Sequence, residues 1–105
     1  MTIDEWYDLL KKLIDNTDYD VIMKKQIKNP VVAIVPKWQD TPQRIAIYPK
    51  KTKNAGLVLE HDIYSVSRIQ LIAGEADRFH SNRPHFNNVS DQNIIDICKI
   101  FLLKD

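Results

Sequence analysis

The spacing of apolar and polar residues predicts an amphipathic helix near each end of the chain. Residues 3–15 and residues 91–104 each place their apolar side chains on one face at helical spacing, with charged side chains on the other. Thr2 followed by Glu5 matches a capping box, and Ser90 is the expected N-cap of the second helix. The apolar faces consist of Ile3, Trp6, Leu10, Leu13 and Ile14 in the first helix and of Ile94, Ile97, Cys98 and Phe101 in the second.

Short apolar runs between these helices predict strands. Residues 19–28 alternate loosely, which indicates a strand with one wet face. Residues 31–35 are continuously apolar between two prolines, too short a run for a helix, and therefore favour a buried strand. Residues 44–48 alternate again, and residues 57–59 are expected to form a last short strand.

Residues 62–76 are ambiguous, since their apolar positions fit a helical face but many of their side chains are β-branched. We favour the helix. Strands joined by short turns predict an antiparallel meander. The predicted fold is therefore α+β: a small antiparallel sheet of three to four strands, covered on one face by the N- and C-terminal helices, in a single domain over residues 1–105.

Composition favours a cytoplasmic protein. The chain has 105 residues, is 44% apolar and 28% charged, and contains no apolar run that approaches the length of a membrane span. Its first residues are acidic, unlike a secretory signal. The single cysteine, Cys98, cannot close a disulfide within the chain, which fits a reducing compartment.

Charge is distributed unevenly. The net charge is only +1, but residues 1–20 carry six acidic groups against two lysines. Residues 24–53 carry eight basic groups against one acid, and residues 54–105 carry seven acids against five bases. Such a basic middle segment is informative about binding partners rather than about the fold.

The basic middle segment supplies the candidate binding residues. A surface of lysines with aromatic side chains between them can neutralise phosphates while the rings stack on bases, or it can meet an acidic protein surface. The alternative is that Trp38 covers the core and the lysines only keep a sheet edge soluble. The predicted binding residues are Lys24, Lys28, Trp38, Arg44, Tyr48, Lys50, Lys51 and Lys53.

A second cluster lies in the stretch RFHSNRPHFNN, residues 78–88. Two histidines could act as acid and base, and two arginines could hold a phosphate. We favour a polar surface loop instead of a catalytic centre, because Pro84 excludes a helix and Phe79 and Phe86 could tether the loop to the core. The four charged or titratable residues are Arg78, His80, Arg83 and His85.

Cofactor and metal chemistry have no sequence signature. The two glycines, Gly56 and Gly74, lie outside any phosphate-binding loop pattern. The triplet at residues 60–62, Glu-His-Asp, cannot converge on one ion from a strand, and no paired-cysteine or His-rich ligand pattern occurs. Cys98 lies on an apolar helix face, where a thiol is inert. We therefore predict no cofactor and no metal.

Three functions remain. The first is a small non-catalytic protein-binding module of the inhibitor, immunity or anti-defence type, encoded by a phage or mobile element, that occludes a partner with an acidic surface. The second is nucleic-acid binding, although such domains are usually more basic than a net charge of +1. The third is a ribonuclease-type toxin using His80 and His85. We favour the first; oligomeric state is not fixed by the sequence.

Overall fold

The computed structural model describes residues 1–37, 44–50, 54–60, 66–80 and 83–102. Within these ranges the chain forms three helices and one six-stranded antiparallel sheet, which confirms the α+β class. The strand order is β1-β2-β3-β4-β6-β5, a meander whose last two strands are exchanged. The elements are α1 (Ile3–Leu13), β1 (Tyr19–Lys24), β2 (Val31–Pro36), β3 (Arg44–Pro49), β4 (Asn54–Glu60), α2 (Val66–Ala73), β5 (Arg78–His80), β6 (Arg83–Ser90) and α3 (Asp91–Leu102).

The sheet has six strands where the sequence predicts three to four. The two additional strands, β5 and β6, lie in the stretch that we predicted to be a loop, and they pair as an antiparallel hairpin. Pro84 is compatible with β6 because pairing with β4 starts one residue later, at His85, so the missing N–H breaks no bond of that ladder. The first strand ends at Lys24 instead of residue 28, and β4 begins at Asn54 instead of residue 57.

Local hydrogen bonds define the ends of the helices. The Glu5 N–H donates to the Thr2 hydroxyl over 3.1 Å, and the Thr2 N–H donates to the Glu5 carboxylate over 2.9 Å, so the predicted capping box is present. These bonds hold the pKa of Glu5 below its usual value. The Asn93 N–H donates to the Ser90 hydroxyl at the start of α3, as predicted. Helix α2 ends at Ala73 instead of residue 76 and is followed by Gly74, at φ 85°.

All three helices pack on the same face of the sheet. Helix α1 lies over β1 and β2, α3 lies over β4 and β6, and α2 packs against α3 and β6. Each large apolar side chain buried in this layer contributes roughly 1.5–3 kcal/mol to folding. The fully buried side chains include Trp6, Leu10, Ile34, Ile45, Ile47, Leu57, Leu59, Ile94 and Ile97. In the described parts of the chain, no helix covers the opposite face.

Candidate functional site

The face of the sheet opposite the helices, here called the helix-free face, changes from apolar to basic across its strands. Residues directly opposite each other in neighbouring strands point to the same face, so the register defines rows across the sheet. The small side chains at the middle of the face form a second buried cluster with Ile22, Val31 and Tyr48 packed around it. The central row consists of Ile22, Ala33, Ala46, Val58, His85 and Arg78.

A groove of about 410 Å³ opens on the helix-free face where β3, β4 and β6 meet. Its volume falls within the range of small-ligand sites. Gly56 lies opposite Tyr48 in the register, and a Cβ at Gly56 would lie 3.5 Å from the Tyr48 Cβ. The absence of a side chain at this position therefore leaves the floor beside the tyrosine open. The polar lining consists of Asn29, Tyr48, Lys50, Arg78, His85 and Asn87.

A β-bulge shapes one wall of the groove. The register between β4 and β6 shifts between Ala55 and Leu57, so the single residue Gly56 faces two residues of β6. One of these is Asn87, whose carbonyl accepts a hydrogen bond from the Lys50 ammonium and whose N–H donates to the Asp77 carboxylate over 2.6 Å. These bonds hold the lysine and the bulged strand together at the wall.

The hairpin of β5 and β6 places the four charged or titratable residues of the second sequence cluster on the helix-free face. We call these four residues the hairpin cluster: Arg78, His80, Arg83 and His85. Arg78 is opposite His85, and His80 is opposite Arg83. The rings of His80 and His85 are 6.3 Å apart, centroid to centroid, at an angle of 84°. Two guanidinium groups can bind a phosphate through forked donors, and two imidazoles can exchange protons. The ribonuclease-type function stays a prediction.

The prediction of a loop over residues 78–88 was wrong, because the stretch forms strands. Of the two residues predicted to anchor it, only Phe86 reaches the core. Phe86 is 2% exposed and faces the helices, as expected of an anchor. Phe79 is 62% exposed at the edge strand and does not reach the core. Arginine and histidine alternate with Phe79 and Phe86 at a spacing of two, and this strand-like period was the signal that could have identified the hairpin.

Several predicted binding residues meet at one end of the sheet. Lys24 is opposite Val31, and Tyr48 is opposite Gly56, so both lie in the row next to the central one. Lys28 is exposed in the turn that precedes Asn29, and Asn29 lines the same groove as Lys50. Arg78, His85 and Asn87, which the predicted binding set did not include, complete this region.

One further predicted residue, Arg44, lies away from this arrangement. Arg44 starts β3 at the end far from Tyr48, opposite Glu60. Trp38, Lys51 and Lys53 lie outside the described residues.

Two other lysines of the basic middle segment are engaged away from the groove. The Lys25 ammonium lies 3.1 Å from the Asp4 carboxylate of α1, and the Lys37 ammonium donates to the Thr17 carbonyl over 3.0 Å.

The cysteine and the metal-ligating side chains do not form a second candidate site within the described residues. Cys98 is completely buried, and burial raises the pKa of its thiol to about 12, which keeps it protonated and unreactive. Within the described ranges, no three metal-ligating side chains come together. None of the helices described is long and apolar enough to cross a bilayer.

The fold and groove define the chain as an α+β protein with a groove on the sheet face opposite its helices, lined by apolar side chains together with Lys50 and Arg78. No family model matches the chain, and no significant similarity to a curated protein or to a solved structure is found.

Proposed function

We propose that this protein is a small non-catalytic binding module that occludes a protein with an acidic surface through its helix-free face. The observation that carries the proposal is the groove where Tyr48, Lys50 and Arg78 come together. Tyrosine and arginine are favoured anchors of protein interfaces, because each combines a large contact area with directed hydrogen bonds.

The distribution of charge supports an acidic partner. Lys24 and Lys28 are exposed at the same end of the sheet as Lys50, also exposed, and no acidic side chain lines the groove among the residues described. On the helix side, α1 exposes acids beside Lys11 and Lys12, and its Asp4 is paired with Lys25. A partner with a negative surface is therefore attracted to this end of the helix-free face.

Occlusion suits this architecture better than catalysis as a primary role. The anchors stand on strands of a rigid sheet, and such a surface can bind without rearrangement. An inhibitor, immunity or anti-defence protein from a phage or mobile element, acting in the cytoplasm, requires only such a surface.

Site-specific photo-crosslinking tests the proposal. A benzoylphenylalanine residue replaces Tyr48 on the helix-free face, and in a matched control it replaces Lys99, which is exposed on α3. Both proteins are irradiated in nuclease-treated extract of the cells that encode them. We expect one protein to crosslink at position 48 and not at position 99.

Charge reversal then tests the electrostatic part of the proposal. In the position-48 crosslinking protein, Lys24→Glu with Lys50→Glu should reduce the yield strongly, whereas Lys99→Glu should leave it unchanged. Equal crosslinking at both positions, or a yield that survives reversal of both lysines, would contradict binding through this face.

A further inference from the structure

The hairpin cluster and the groove form one continuous site. Arg78 and His85 belong to both, since they are opposite each other in the hairpin and also line the groove. Val58 is opposite His85 and lies beside Tyr48 on the groove floor. A ligand that extends from the hairpin to Tyr48 would therefore meet a cationic end first and an aromatic end second.

The chemistry of the cationic end favours a phosphate group. Arginine donors match phosphate oxygens in pairs, and an imidazole N–H such as that of His80 adds a further donor. One acidic residue, Asp77, is bonded to the groove wall: its carboxylate accepts the Asn87 N–H. Lys50 adds a positive charge on the same wall.

The chemistry of the other end favours a flat, unpaired base. Tyr48 is partly buried, packs against the apolar cluster of the helix-free face and lines the groove beside Gly56, while Asn29 and Asn87 offer amide donors and acceptors at the edges. Aromatic side chains on an open sheet face are a common platform for the bases of single strands. The groove volume of about 410 Å³ suits a single base with its sugar.

We propose that this continuous site binds single-stranded nucleic acid, with a backbone phosphate on the hairpin cluster and the neighbouring base against Tyr48. This inference goes beyond the protein-binding function above, because it assigns a second class of ligand to the same groove and extends the site to the hairpin cluster.

Fluorescence anisotropy with the labelled oligonucleotides rU12 and dT12 tests this site. Removing a phosphate contact with Arg78→Gln should weaken binding and reduce the salt slope by about 0.7 between 50 and 200 mM salt. Tyr48→Leu should lose roughly 5- to 150-fold in affinity by loss of stacking, whereas Tyr48→Phe should bind like the wild type. Lys99→Gln, remote on α3, is the matched control for loss of one charge.

Three outcomes would overturn the proposal. They are an absence of binding at 50 mM salt, an equal loss in Lys99→Gln and Arg78→Gln, and displacement of the oligonucleotide by polyglutamate as effectively as by unlabelled rU12. Circular dichroism of each variant confirms that it is folded, and recovered oligonucleotide is sized so that cleavage is not read as weak binding. Because crosslinking to the protein partner is done in nuclease-treated extract, either proposal can fail alone.

Discussion

Alkaline pH should destabilise the protein through its buried cysteine. Cys98 is completely buried on α3, and burial raises the pKa of its thiol from 9.0 to about 12. In the unfolded chain the thiol is exposed to water and ionises near its ordinary value. Between these two pKa values the unfolded state releases a proton that the native state keeps.

The sign and size of the effect follow from proton linkage. The stabilisation from the protonated thiol is fully present below pH 9, and it is lost as the pH rises towards 12, because the unfolded state then binds fewer protons than the native state. At pH 10.5, about 1.5 pH units above the unfolded pKa, the loss is about 2 kcal/mol at 1.36 kcal/mol per unit. Other groups also titrate there, so only a comparison isolates the thiol.

Urea unfolding of the wild type and of Cys98→Ala, at pH 7.5 and at pH 10.5 with a phosphine reductant, provides that comparison. Between the two pH values, the wild type should lose about 2 kcal/mol more of its free energy of unfolding than the alanine variant loses. If the two proteins lose the same amount, the thiol is not held protonated by burial, and the account of Cys98 as an inert core residue is wrong.

Further substitutions test the caps, the core and the glycines by urea unfolding. Thr2→Ala should cost about 1 kcal/mol because it removes the capping box, whereas Thr2→Ser should keep most of that stability. Trp6→Phe should cost less than the roughly 2–5 kcal/mol expected for Leu10→Ala, since the buried Trp6 indole N–H has no hydrogen-bond partner among the described residues. A larger loss in Trp6→Phe would indicate a partner for that N–H. Gly74→Ala should destabilise by about 1 kcal/mol because φ at Gly74 is 85°, whereas Gly56→Ala should stabilise by roughly 0.5–1 kcal/mol, since its Cβ makes only ordinary contacts and alanine loses less backbone entropy on folding. The reverse order would show that backbone conformation does not decide these two positions.

The sequence was most informative where one face of an element is apolar. Helix α1, with Trp6 and Leu10 on one side, and the apolar strand β2 follow directly from their periods, and both occur close to the predicted positions. The sequence does not predict the hairpin, because polar residues alternate there with only Phe79 and Phe86 and because a proline such as Pro84 also indicates a loop. An edge strand such as β5 has one neighbour only and does not need apolar residues on both faces.

The groove could not be predicted because its parts are distant in sequence. Tyr48 and Lys50 come from the end of β3, whereas Arg78 and His85 come from the hairpin, and only the exchange of β5 and β6 in the strand order brings them together. A simple meander would have placed β5 next to β4. Strand order depends on pairing between segments, and local periodicity carries no information about it.

The β-bulge opposite Gly56 is the strongest reason to treat the groove as a binding site and not only as a solvent-exposed sheet face. Solubility requires only charged side chains along the exposed strands, and Lys24 already meets that need at the edge. Glycine inside a strand lowers stability by roughly 0.5–1 kcal/mol, and a bulge interrupts the ladder of β4 and β6. Both departures occur at or opposite Gly56, where a Cβ would lie 3.5 Å from the Tyr48 Cβ. Proteins commonly depart from regular packing where a ligand or partner binds, and these two departures agree with the binding proposed for the groove.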